Sequence, residues 1–400
     1  MIFIFIKKWS KSTLAGFWGV LLTEFGGGFA FIFKILGHQG ISFDNGLGML
    51  QPAVSLVNPP FAISIALLVA GLFSLLMYME TNEKQWEIPL ILFFGLITEF
   101  KVYAGMVALA GFFLITVIKF FQKKYRFSYL FAAILFLFFI TYWRFTGSAG
   151  FLILYPLWNP LSLFRQNLSF MLPNIDDKIE KYTQYSVISQ LVKVYAIMFG
   201  VFIFGNIGTR AFGLLCLFFK KQRQILFSSF SLMLGFMTLV AFFIPLFFIQ
   251  SIKVFEITQM FNYFLFFVAL FSAVGIAGFF SKKFHPVIKV ILIALFLVIT
   301  LPSAYEQLYG YNIGWQSFIV SPATIKATTF LSQQGTYDDT MLVFPRKEIQ
   351  PKDVQGWYNE EPRLLPLALS NKRGYLSNED NDFPNLMVEP RIEFLSNLLQ

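Results

Sequence analysis

Two opposite charges stand inside the longest apolar run of this 400-residue chain. Residues 88–121 are almost wholly apolar, yet Glu99 and Lys101 interrupt them in the order Thr98, Glu99, Phe100, Lys101, Val102, Tyr103. Ionisable groups at membrane depth cost free energy, so they face protein or a wet cavity and are functional candidates by default. Lys101 could supply charge to a phosphate at the membrane surface, with Glu99 and Tyr103 as further candidate substrate contacts. The structural alternative for Lys101 is a salt bridge to Glu99 or Glu24, or a stem that snorkels to water. Glu99, Lys101, Tyr103 and Glu24 are expected to line one outer cavity.

Four further residues carry candidate chemistry. Glu24 lies in the centre of the first apolar run, where Gly26, Gly27 and Gly28 can end or bend the helix and bring it near that cavity. It is either a base or one half of a structural ion pair. Asp44, in a glycine-containing loop, is a second candidate base, although Asp44, Asn45 and Gly46 also form an ordinary turn sequence. Arg144 and Arg165 flank a later loop and are candidate phosphate ligands. Arg144 follows the aromatic anchors Tyr142 and Trp143, so lipid head-group contact is its alternative reading. No phosphate-cradling loop, dinucleotide fingerprint, zinc spacing or nucleophile elbow is present. With two histidines, His38 and His285, and one cysteine, Cys216, neither a histidine metal site nor an internal disulfide is expected.

The elements that must position these residues are apolar helices. The chain is 56% hydrophobic, 19% aromatic and 13% charged, with a mean hydropathy of +0.65. That composition excludes a soluble globular protein and predicts a polytopic membrane protein. The 54 phenylalanines read as lipid-facing and core filler. Apolar runs fall at approximately 12–36, 60–79, 88–100, 102–121, 127–145, 191–219, 225–249, 260–280 and 286–304. A continuous helix over 88–121 would measure roughly 50 Å, beyond a hydrocarbon core of about 30 Å. The chain must therefore turn back, with the charged pair at the turn.

The net charge of +9 is a topology signal. Residues 1–304 hold 23 Lys+Arg against 10 Asp+Glu, whereas 305–400 hold 8 against 12. The excess sits in four short clusters: Lys7, Lys8 and Lys11; Lys123, Lys124 and Arg126; Lys220, Lys221 and Arg223; Lys282 and Lys283. All four fall on one side only if 88–121 crosses twice, which predicts nine crossings. The positive-inside rule makes that side cytoplasmic, with the N-terminus inside and the C-terminus outside. Nothing in the pattern supports nucleic-acid binding.

Residues 305–400 change character. Ser321 and Pro322 read as a helix start for 323–333. Thr340 to Phe344 is a β-type run, and Arg373 to Leu376 is a weaker second strand. The expected fold is an all-α polytopic membrane domain over 1–304, followed by a small, incomplete extracytoplasmic α/β segment. Between residues 146 and 190 an outer loop is expected, its first half an amphipathic helix along the interface and its second half solvated.

Several phrases carry a resemblance. They are Phe25-Gly26-Gly27-Gly28-Phe29 closing the first run, Asn58-Pro59-Pro60-Phe61 after an outer loop, Phe100-Lys101-Val102-Tyr103-Ala104-Gly105 in the hairpin, and Pro366-Leu367-Ala368-Leu369-Ser370-Asn371-Lys372-Arg373. Together with the layout, they resemble bacterial polytopic proteins related to the GT-C glycosyltransferases. The resemblance implies a bacterial cell-membrane enzyme, a polyprenyl-phosphate-linked sugar as donor and an acidic residue in the first large outer loop. It leaves the cofactor open, a divalent cation being compatible. Because Met1 to Ser10 looks like the tail of an earlier span and the C-terminal segment stops short of a full domain, the chain is expected to be a fragment. The usual acidic motif is then carried over to no position here. The competing expectations are a transporter or flippase for lipid-linked sugars and a non-catalytic membrane scaffold.

Overall fold

A computed structural model describes residues 1–37, 47–49, 51, 58–143, 151–251, 256–282 and 284–309, together with a few short pieces between 326 and 374. The chain forms two compact units, Met1–Ile313 and Gly314–Gln400. The first unit extends past residue 304, where Glu306 of helix α15 (Pro302–Tyr309) pairs with Lys34.

The first unit is a helical bundle. Six of its helical segments are long and apolar enough to cross a membrane: Pro59–Thr81, Val102–Phe121, Arg126–Trp143, Ile188–Leu215, Ser229–Phe247 and Glu256–Phe280. This is the architecture of a multi-pass membrane protein. The three remaining apolar runs are built differently. The run at 12–36 breaks at Gly26, Gly27 and Gly28 into α2 (Thr13–Glu24) and α3 (Ala30–Ile35). At about 1.5 Å per residue α2 measures roughly 18 Å, too short to cross alone. The run at 88–100 is α5 (Glu87–Leu96) with a 3₁₀ turn, Ile97–Glu99, and 286–304 holds α14 (Pro286–Thr300).

The segment 88–121 does turn at its charges. α5 and the 3₁₀ turn lead to Lys101, whose extended backbone starts α6 (Val102–Phe121). α5 packs between α4 (Pro59–Thr81) and α7 (Arg126–Trp143). Close packing requires small residues there. A side chain at Gly71 would run into Phe94, and one at Gly95 into Leu137. Burial of Phe94, Phe112, Phe127 and Ile134 between these helices supplies the apolar driving force.

At one end of the bundle the basic clusters meet. Lys8, in the last turn of α1 (Ile2–Ser10), pairs with Glu80 at the end of α4 at 2.9 Å. Arg126 grips Glu87 with two bonds of 2.8 and 2.6 Å. Trp9 donates to Ser231 at 3.0 Å, beside α11 (Lys220–Leu226). Lys282 lies 4.7 Å from the Phe219 ring centre. All four clusters therefore share one end, the arrangement that the parity argument requires.

At the far end, β1 (Leu152–Leu154) pairs antiparallel with β2 (Phe248–Gln250), with Ile153 opposite Ile249. Pro245 interrupts α12 (Ser229–Phe247), and a proline removes one helical donor. The carbonyls at this helix end have another donor, Trp158, whose Nε1 bonds those of Pro245 and Phe248 at 2.8 and 2.9 Å. Trp158 opens α8 (Trp158–Gln166), which buries Leu163 and Phe164, whereas α9 (Ile175–Gln184) buries only Ile175. The second half is largely exposed, as expected, whereas the first packs against α12 and the helix that begins at Ile188.

In the second unit, Lys326, Thr329, Phe330 and Gln333 are helical. β3 (Thr340–Met341) pairs parallel with β4 (Arg373–Gly374). These pieces fall within the helix and the two strands expected from sequence.

Candidate functional site

The far end of α6 carries the strongest candidate. Lys101 is half-buried and donates to Gln259 Oε1 at 2.8 Å. Gln259 belongs to a 3₁₀ turn, Glu256–Gln259, that leads into α13 (Met260–Phe280). Tyr103, two residues on, donates its hydroxyl to Gln250 Oε1 at 2.8 Å, at the end of β2. The hairpin turn is thereby tied to the segments before α13 by two side-chain amides. Burial holds the Lys101 ammonium below the ordinary lysine range, and the nearby Glu256 carboxylate opposes that shift.

This corrects one sequence expectation. Lys101 pairs with neither Glu99 nor Glu24; its partners are Gln259 and, through its field, Glu256. The reason is direction: a lysine at the N-cap points out of the hairpin toward the neighbouring segment, not back along its own chain. Glu99 is partly buried in the 3₁₀ turn before it. Glu24 ends α2, partly buried, where the glycine break begins. Asp44 and Arg144 lie outside the described residues. Arg165 lies at the end of α8. It is held by Asp176, with bonds of 2.9 and 2.7 Å, and that carboxylate raises its already high pKa.

A second polar centre was missed by sequence reasoning. Arg210 is fully buried. It follows Gly208, where α10 (Ile188–Ile207) gives way to a 3₁₀ helix, Gly208–Phe218. Its guanidinium donates to the Leu22 carbonyl at 3.3 Å, to Gln51 Oε1 at 2.9 Å and to the Gly26 carbonyl. Leu22 and Gly26 lie at the broken end of α2, where helical carbonyls lose their intrahelical donors. Gln51 and Asn206 extend the network, with Asn206 donating to the Leu47 and Phe202 carbonyls at 2.6 and 2.7 Å. Ser303 bonds the Gly28 carbonyl at 3.0 Å, and Phe29 N–H bonds the Gly205 carbonyl at 2.6 Å. Two interrupted helices are therefore clasped around one arginine. Gly208 has φ +57°, and a side chain there would overlap the Gly27 carbonyl. A charge within the apolar run 191–219, two residues after a glycine, was the available signal.

Among the described residues no group of three or more His, Cys, Asp or Glu gathers where a metal could bind. The fold is that of a multi-pass membrane protein, and Lys101 is a half-buried cation at the end opposite its basic clusters. No protein-family model matches the sequence, and no curated protein is significantly similar to it.

Proposed function

We propose that this chain is the membrane part of a GT-C-like glycosyltransferase of the bacterial cell membrane that uses a polyprenyl-phosphate-linked sugar. The observation that carries this reading is Lys101. An ammonium has three donors, and among the described residues one is engaged, by a neutral amide. The group is half-buried, so its field is weakly screened, yet it remains open to a ligand. In the proposed reaction a carboxylate takes the proton of an acceptor hydroxyl. That oxygen forms the new bond to the anomeric carbon, the bond from carbon to phosphate oxygen breaks, and polyprenyl phosphate departs. Lys101 stabilises its charge, with Tyr103 beside it. Asp44 and Glu24 are the proposed carboxylates from the sequence, and a divalent cation is compatible with the chemistry.

The reading takes the basic end as cytoplasmic and the far end, with residues 305–400, as extracytoplasmic. It keeps nine crossings, with α2, α5 and α14 completing three of them within the bundle. Cysteines placed at Gln222 and Gln333, with Cys216 removed, test the orientation. In intact cells a membrane-impermeant thiol reagent is expected to label position 333 and not 222; the reverse overturns it.

Function is tested by measuring binding and sugar transfer on one polyprenyl-phosphate sugar, for the wild type and Lys101→Ala. The variant is expected to bind at least about tenfold more weakly, as loss of a charge-assisted bond implies. Donor binding unchanged in the variant removes Lys101 from the site. A second reading, a transporter or flippase for lipid-linked sugars, is favoured by the clasped helix breaks around Arg210, since interrupted helices form transporter sites. It predicts donor movement across a proteoliposome membrane with no glycosylated product.

A further inference from the structure

The 3₁₀ helix Gly208–Phe218 presents a surface that the reading above does not use. In a 3₁₀ helix, side chains at i and i+3 eclipse, and each residue rises about 2.0 Å. Eleven residues of it therefore carry straight ridges along roughly 22 Å. One ridge turns inward: Arg210 and Gly213 both meet Ser272 of α13. The other two face outward, with Phe212, Leu214, Leu217 and Phe218 exposed and Ala211 and Leu215 half-buried. Ala211, Leu214 and Leu217 form the first; Phe212, Leu215 and Phe218 form the second. Between them runs an apolar groove of about 210 Å³, lined by Ala211, Phe212, Leu214, Leu215 and Phe218. A helix of 3.6-residue period would wind such a groove around its axis, whereas the 3₁₀ period keeps it straight.

The groove ends at a concentration of positive charge. Phe219 and α11 follow directly, and Lys220, Lys221 and Arg223 are exposed. Among the described residues none of the three has an acidic partner. Lys282 joins them over the Phe219 ring. Between Glu180 and Glu306 the chain contains a single acid, Glu256, which lies at the far end with Lys101. The cations at the basic end of the groove are thus uncompensated nearby, unlike Lys8 and Arg126, which have Glu80 and Glu87.

We propose that this groove is a site for an anionic diacyl phospholipid, one acyl chain lying between the two ridges and the phosphate among Lys220, Lys221, Arg223 and Lys282. Charge complementarity selects the head group, because basic residues at a membrane surface attract anionic lipids. The straight apolar channel orders the chain. The site is independent of sugar transfer and of Lys101.

The test is native mass spectrometry of the full chain in detergent, incubated with dioleoyl-phosphatidylglycerol or dioleoyl-phosphatidylcholine. The acyl chains are identical, so any difference reports the head group. Wild type is expected to retain phosphatidylglycerol over phosphatidylcholine. The triple variant Lys220→Gln, Lys221→Gln, Arg223→Gln should lose that retention about tenfold or more. Leu214→Trp, at a position 61% exposed, should fill the groove and lower retention without disturbing the bundle. Equal retention of the two lipids, or retention in both variants like that of wild type, overturns the site. So does a dimer that Leu214→Trp dissociates, which would make a second copy of the chain the occupant.

Discussion

Arg210 and Lys101 meet the same difficulty, a cation within a helical membrane bundle, and resolve it in opposite ways. Arg210 is sealed: it has no exposed surface, and three oxygens from the broken end of α2 and from Gln51 accept its hydrogen bonds. Lys101 is half-buried, bonds one amide and feels one carboxylate. The chemistry of the two side chains suits these roles. A guanidinium offers five donors in a fixed fork and can bind several carbonyls together, whereas an ammonium is a compact charge on a flexible stem. Full burial with three accepted bonds marks Arg210 as the clasp of two helix breaks, and partial exposure with a single bond marks Lys101 as the group open to a ligand.

The sharpest way to break this comparison is to open the clasp. Arg210→Met leaves the Leu22 and Gly26 carbonyls and the Gln51 amide oxygen without their donor. An unsatisfied buried group costs about 1–3 kcal/mol, so the sum is on the order of 3 kcal/mol or more. Thermal unfolding in detergent should show a large loss, and Arg210→Lys should restore only part of it. A variant as stable as wild type would end the clasp assignment. Gly208→Ala is expected to come next, at roughly 1–3 kcal/mol, from positive φ and overlap with Gly27.

Lys101→Ala should behave in the opposite sense. It is expected to change stability by less than about 1 kcal/mol, while lipid-phosphate binding falls as described above. A midpoint loss as large as that of Arg210→Met would show that Lys101 is structural. Glu256→Gln sharpens the same point through pH. Glu256 favours the charged lysine, so its removal lowers the Lys101 pKa further. Phosphate binding, which needs the ammonium, should then decline at a lower pH than in wild type. Donor binding measured across the alkaline range for both proteins checks this, and coincident profiles would sink it. The smallest effect is expected for Arg165→Ala. Its partner Asp176 is 56% exposed, and such surface pairs contribute about 0–1 kcal/mol.

The amino-acid order alone determined the class and the turn. Apolar runs of spanning length leave no soluble alternative, and 88–121 is too long to be one helix, so a bend at Glu99 and Lys101 followed from length. The four basic clusters implied a common end, and the contacts Lys8–Glu80, Arg126–Glu87 and Lys282–Phe219 gather them there. A Ser321-Pro322 helix start and two β-type runs were enough to mark a helix and two strands, whose described pieces lie where expected. What only the tertiary structure decided was partnership. Gln259 is 158 residues from Lys101, and Gly26 is 184 from Arg210. Nothing local predicts either pairing. Arg210 was passed over because its run of apolar neighbours reads as one span, and the break at Gly208 is set by how closely that backbone approaches Gly27 and Gly28. Periodicity and length are properties of a segment and survive in the sequence. Hydrogen-bond partners and close backbone approaches belong to pairs of segments, and they exist only once the helices have packed.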